Sequence, residues 1–184
     1  MKFKFEDTPL DGLKVIHPAY MEDERGNFLK SFEKEIFSQN GIEMAPFEVF
    51  ESLSTKGVLR GLHFQTKLPQ AKLVRTVTGN VFDVAVDIRK DFPTFGKWHS
   101  VELSGANKKM FYIPPYFAHG FLVLSESAIV SYICAGRYLK EYDSGILWKD
   151  PVVAIEWPIS IIGEVTVSKR DESFGGLVEF MGES

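Results

Sequence analysis

Apolar residues in this chain gather in short runs separated by turns. Residues 81–88 (Val-Phe-Asp-Val-Ala-Val-Asp-Ile) are rich in β-branched side chains and follow Gly79-Asn80, a pair that favours a tight reversal. Runs of the same kind cover Lys72–Val77, Ser100–Leu103, Met110–Ile113, Phe121–Leu124 and Ala128–Cys134. Spacings of about ten residues, with turns between them, predict an all-β sandwich or barrel and not alternating β-α units. One short helix is expected over Glu33–Gln39, with Ile36 and Phe37 as its buried face and Asn40-Gly41 as its stop. No Pro/Gly/Ser linker, charge block, low-complexity tract or repeat divides the sequence, so residues 1–184 are expected to form a single domain.

Composition excludes several functions. Hydrophobic residues make up 45% of the 184, enough for one well-packed core and too many for a disordered chain. With 21 Lys+Arg against 25 Asp+Glu the formal net charge is −4, which argues against a general nucleic-acid binder, since that needs a basic face. One cysteine, Cys134, cannot close an intramolecular disulfide, so nothing calls for an oxidising compartment. The opening residues carry charges where a signal peptide has its apolar centre. The most apolar stretch, Gly120–Gly136, is interrupted by Ser125, Glu126 and Ser127 and is short for a bilayer span. A cytoplasmic protein with no membrane or nucleic-acid partner is expected.

Chemistry has few places to sit. Of the four histidines, His17, His63, His99 and His119, two lie in unusual company. His63 falls in Gly57-Val-Leu-Arg-Gly-Leu-His-Phe-Gln65, with Lys72 following, and His119 in Pro114-Pro-Tyr-Phe-Ala-His-Gly-Phe121. Inside a β-barrel such residues can converge on the lumen, because alternate side chains point inward. Arg60 and His63 differ by three positions, so a regular strand would send them to opposite faces; Gly61 permits a bulge that brings them together. A metal site fails on ligand count. His63 is followed by Gln65, no second histidine, and no carboxylate occurs between Gln65 and Asp83. A metal-free barrel could use a neutral histidine base, a tyrosine acid such as Tyr132, and cations for an anion: Arg25, Arg60, Lys72, Lys169 or Arg170. Each of these also has an ordinary structural reading, Tyr132 as a core aromatic above all.

Taken as a set, the motifs resemble the RmlC-type dTDP-4-dehydrorhamnose 3,5-epimerases, from about Gly12 to Asp171. They include Asp23-Glu-Arg-Gly26, the His63 segment, Gln70-Ala-Lys-Leu-Val74 and Val81-Phe-Asp-Val-Ala-Val-Asp-Ile-Arg89. Further on come Pro93-Thr-Phe-Gly96, Phe117-Ala-His-Gly-Phe121, Asp143-Ser-Gly-Ile146, Asp150-Pro151 and Trp157-Pro158. The resemblance implies a cupin-type antiparallel β-barrel (jelly roll) with one or two short helices, and no metal or cofactor. It implies His63 as base, Asp171 as its paired carboxylate, Tyr132 as acid on the far side of the sugar, and Lys72 and His119 near the 4-keto group, all facing one cavity. Arg25, Arg60 and Arg170 match phosphate or nucleotide contacts, Asp143 an acidic substrate contact, and Tyr138 an aromatic that stacks on the base. Family members are dimers in which the N-terminal part of one subunit enters the other's site, so a homodimer acting on a nucleoside-diphosphate sugar is expected.

Three positions depart from the family. It typically has Glu where this chain has Lys30, and Gln and Asn where this chain has Glu48 and Phe50. All three are nucleotide contacts in the family. The sugar chemistry is therefore expected to be retained, with recognition of the nucleotide altered unless Lys30 compensates for Glu48. The alternatives are a single C3- or C5-epimerase of a CDP- or GDP-linked ketosugar, and a sugar-binding cupin without catalysis. The sequence has neither the G-x-G-x-x-G nor the G-x-x-x-x-G-K-[ST] pattern of nucleotide cofactor sites.

Overall fold

A computed structural model describes residues 2–182. Two six-membered antiparallel layers face each other. The first runs β1 (Lys4–Asp7), β2 (Lys14–His17), β10 (Met110–Ile113), β7 (Ala71–Thr78), β12 (Ser127–Ala135) and β5 (Pro46–Thr55). The second runs β13 (Asp143–Gly145), β6 (Val58–Gln65), β11 (Phe117–Val123), β8 (Asn80–Asp87) and β9 (Trp98–Ser104), with β14 (Thr166–Val167) parallel beside β6. A separate hairpin joins β3 (Ala19–Asp23) to β4 (Gly26–Lys30). This is the expected all-β jelly-roll barrel.

Why these residues make these strands follows from which faces are covered. Val74, Phe111 and Val130 of the first sheet meet Val81, Ala85, Leu103 and Phe121 of the second in a core between the layers. Outside the second sheet, Leu59, Leu62, Val84, Val86 and Leu122 are covered by Ile146, Trp157 and Leu177 of the C-terminal segment. Both faces of β8 and β11 are thereby buried, so their sequences are nearly continuous apolar runs. Outside the first sheet, Ile16, Leu73 and Met110 pack against Phe37, Ile42 and Met44.

The helix expected over residues 33–39 is α1 (Lys34–Gln39), which buries Phe37 and ends at Asn40 and Gly41. The expectation of one or two short helices is too low. Three further short ones, α2 (Ile159–Ile162), α3 (Lys169–Glu172) and α4 (Leu177–Gly182), lie in the C-terminal covering, with a 3-10 turn at Lys140–Tyr142. The apolar run Phe121–Leu124 overlaps the end of a longer strand, Phe117–Val123, and leaves Leu124 beyond it. No helix among the described residues is long and apolar enough to cross a membrane.

Candidate active site

Between the sheets, at one end of the barrel, lies a cavity of about 430 Å³, within the range of small-molecule sites. Strand parity fills it with polar groups. On β7, Val74 points into the core and Lys72, two residues earlier, points the same way into the cavity. On β12, Val130 and Tyr132 repeat the pattern, and on β11 Phe121 and His119 do so.

On β6 the parity has to be broken to bring two residues to one face. His119 pairs with His63 while Phe121 pairs with Arg60, so three steps on β6 oppose two on β11. The extra residue is the bulge expected at Gly61, whose φ is +125°. Leu59, Leu62 and Phe64 consequently point outward into the second apolar layer, while Arg60 and His63 both line the cavity. A side chain at Gly61 would sit 2.6 Å from Gly120 Cα and 2.7 Å from the His119 carbonyl.

Behind His63 stands Asp171, buried, with Oδ1 at 2.9 Å from His63 Nε2. That is ion-pair distance, though the N–H does not align as a hydrogen bond. The Gly61 N–H donates to Asp171 Oδ2 (3.0 Å), and Ser168 caps α3 by accepting from the Asp171 N–H (3.0 Å), which fixes the turn that aims the carboxylate. Burial pushes the Asp171 carboxyl up, but His63 and the Gly61 N–H together hold it below the ordinary value of 3.8.

A second buried pair lies beyond the roles that the motifs imply. His119 Nε2 lies 2.8 Å from Asp83 Oδ1, and both residues are buried. Burial raises the Asp83 carboxyl, opposed by His119 and Lys72. The sequence signal was available: Asp83 is an ionisable residue flanked by apolar ones on both sides, and such a residue must have a partner inside. Burial also lowers the Lys72 ammonium below its ordinary 10.5. Burial and then the charge of Asp83 push the Tyr132 phenol upward, so it keeps its proton.

The remaining expected residues divide into those that reach the cavity and those that do not. Arg60 lines it, its Nε donating to Ser54 Oγ (2.9 Å). At the mouth, Asp143 Oδ2 accepts from Tyr138 Oη (2.8 Å) and from Arg170 Nη2 (2.6 Å), leaving the Tyr138 ring half exposed. Glu48 and Phe50 line the opposite wall on β5; Glu48 Oε1 accepts from Gln70 Nε2 (2.7 Å), and Phe50 stacks on Tyr132. Lys30 does not line the cavity of its own chain; its ammonium pairs with Glu33 (2.8 Å). Arg25 also falls outside the cavity of its own chain. It sits at the exposed turn of the β3–β4 hairpin, paired with Asp23 (2.6 Å). Lys169 does not line the cavity either. Tyr116, part of the His119 segment but given no role there, lines it from a left-handed backbone position (φ 65°). Among the described residues no group of three His, Cys, Asp or Glu could hold a metal ion.

This arrangement, a histidine on one sheet backed by a carboxylate of α3 and facing a protonated phenol on the other sheet, suits proton transfer at carbon. Comparisons with known proteins agree. Residues 7–179 match the family model described as dTDP-4-dehydrorhamnose 3,5-epimerase. A protein of that name from Methanothermobacter thermautotrophicus is 48% identical over 178 residues, 97% of this chain and 96% of the relative. The crystal structure of dTDP-6-deoxy-D-glucose-3,5-epimerase RmlC from Legionella pneumophila, in complex with dTDP-4-keto-L-rhamnose, is 43% identical. It superposes with a TM-score of 0.95, covering 99% of this chain and 96% of that one. ChmJ, a 3'-monoepimerase from Streptomyces bikiniensis solved with dTDP-quinovose, is similar at 31% identity and a TM-score of 0.87, over 95% and 89%. With nearly its whole length matched in sequence and in backbone, the chain belongs to the dTDP-4-dehydrorhamnose 3,5-epimerase family.

Proposed function

We infer that this chain is an isomerase that inverts a dTDP-linked 4-keto-6-deoxyhexose at carbons 3 and 5, as in dTDP-rhamnose biosynthesis, by proton removal and return without a cofactor. The observation that carries the reading is that His63, backed by Asp171, and Tyr132 line one cavity from opposing sheets. A hydrogen beside the 4-keto carbon is acidic because the carbanion delocalises onto oxygen as an enolate. His63 removes it from one face, and Tyr132 delivers a proton to the other, which inverts the carbon. A positioned acid or base of this kind is worth roughly 10²–10⁴ in rate. Lys72 and His119, the latter anchored by Asp83, stabilise the enolate oxygen. Arg60 and Arg170 suit the diphosphate, and the half-exposed Tyr138 ring suits the base.

Residues 1–184 act in this reading as one cupin-like epimerase domain, because the N-terminal strands, both sheets and the C-terminal covering share packed layers. A homodimer is supported by β5, an edge strand that exposes Phe47, Val49 and Leu53, and by Arg25, which its own chain holds away from the cavity. A nucleotide-sugar substrate and a lone buried Cys134 fit a cytoplasmic place of action.

The test is incubation with dTDP-4-keto-6-deoxy-D-glucose in heavy water. Deuterium at both carbons of an inverted product is expected. Label at one carbon only assigns a single epimerase, the reading that Glu48 and Phe50 in the cavity wall would favour. No label at either overturns epimerisation of this substrate.

A further inference from the structure

We propose that Phe50 is a positioning residue for the proton-return step, its ring holding the Tyr132 phenol where it can deliver a proton to the sugar face opposite His63. The inference rests on the function proposed above. Phe50 and Tyr132 are register partners on β5 and β12, with ring centroids 4.7 Å apart and planes within 16°. The phenol also meets the His119 ring, edge to face at 6.0 Å and 73°. Two neighbours at different angles thus fix both the tilt and the swing of the Tyr132 ring. His119 is itself anchored by Asp83, so Phe50 is the member of this set that is not tied to a charge.

Phe50 is 47% exposed at a cavity wall otherwise furnished with Glu48, Ser52 and Arg60. Its side chain has no polar atom with which to bind a phosphate, a ribose hydroxyl or a base edge. The contact that the structure gives this half-exposed ring is its stack on Tyr132.

The consequence separates two events that otherwise run together. His63 breaks a C–H bond and becomes imidazolium, leaving the enolate. If Tyr132 is in place, its O–H breaks, a new C–H bond forms on the far face, and the carbon inverts; the imidazolium and phenolate then re-equilibrate with solvent. If Tyr132 is displaced, the imidazolium, after exchanging its proton for a solvent deuteron, returns that deuteron to the original face. The sugar is then labelled without inversion. Loss of Phe50 should therefore slow inversion more than exchange.

The experiment follows dTDP-4-keto-6-deoxy-D-glucose in heavy water, reading deuterium in the unepimerised sugar and in the product separately for wild type, Phe50→Ala, Phe50→Leu and Phe50→Tyr. For Phe50→Ala and Phe50→Leu, the ratio of exchange to inversion should rise roughly 3- to 10-fold, the range a lost aromatic stack allows. KM should stay within about twofold, because a group that acts only after proton removal adds no uniform binding. Phe50→Tyr, which keeps the stack, should restore the wild-type ratio. Exchange and inversion falling in step, as a merely misfolded variant would give, overturns the proposal. So does a raised KM with an unchanged ratio, which would make Phe50 a substrate contact. A wild type that neither labels nor inverts the sugar overturns the parent reading and this one with it.

Discussion

At the scale of single residues, the two ends of the proton path are expected to fail differently. His63→Asn removes the group that starts the reaction, so both exchange and inversion should fall by roughly 10²–10⁴. Tyr132→Phe leaves the start intact, so inversion should fall by a similar factor while deuterium still enters the unepimerised sugar. Rates of label uptake and of product formation, measured on the same samples, check this. A parallel loss in Tyr132→Phe would remove the phenol from the acid role. Lys72 gives a pH prediction. Burial lowers its ammonium, whereas burial and Asp83 raise the Tyr132 phenol. As pH rises, Lys72 therefore loses its charge first, and kcat should fall at a pH below 10.5, the ordinary lysine value. Lys72→Arg keeps the charge and should move that alkaline limb upward; an unmoved limb assigns it to another group. The family resemblance that the motifs carry made it legible that His63, Lys72, His119 and Tyr132 face one cavity. Asp83 announces a need for a buried partner but not which one, since His119 is 36 positions away, and Ser168 acts through a backbone cap that leaves no motif.

At the scale of elements, the bulge on β6 is the device that puts Arg60 and His63 on one face. Gly61→Ala would place a Cβ against Gly120 and the His119 carbonyl at a positive φ. A left-handed penalty of about 1–2 kcal/mol plus overpacking of about 1–3 kcal/mol predicts a loss of roughly 2–5 kcal/mol, measurable by urea unfolding. Activity should fall further than stability alone explains, since His63 shifts relative to Asp171. Wild-type stability in that variant would mean that the strand relaxes freely. The bulge was legible because a three-residue spacing between two polar residues around a glycine conflicts with strand alternation. Strands with both faces covered, such as β8 and β11, were legible as apolar runs. Strand β5 was not, since its polar Glu48, Ser52 and Ser54 face inward and its apolar Phe47, Val49 and Leu53 face outward. Helix α3, at four residues, is too short to show any period.

For the whole molecule, acid should act through buried carboxylates. Burial pushes Asp87 and Asp171 up, but Arg89 and Thr94 around the first, and His63 and Gly61 around the second, hold both below 3.8. A carboxylate lowered in the folded state adds stability above its unfolded value and loses it as pH falls through the folded one. Asp83, raised by burial, opposes this equally in wild type and in Asp87→Asn, so the difference between the two isolates Asp87. Below about pH 5 the urea midpoint of wild type should fall more steeply than that of Asp87→Asn. Assembly gives the last prediction. Strand β5 is ten residues long, pairs among the described residues with β12 alone, and leaves Phe47, Val49 and Leu53 each about two-thirds exposed. A long apolar edge of this kind invites pairing with another chain unless something covers it. On β12 the cross-strand neighbours of Val49 and Leu53 are Ile133 and Ile129, so the apolar patch continues across two strands. In the dimer proposed above, Arg25 on the β3–β4 hairpin would serve the partner's cavity, since it does not line that of its own chain. Val49→Lys with Leu53→Glu should shift the sedimenting mass from twice 20.8 kDa to 20.8 kDa and lower kcat/KM. Arg25→Ala should leave the mass unchanged and raise KM. A wild type that sediments at 20.8 kDa with full activity would place the whole site in one chain and leave Arg25 as a surface charge.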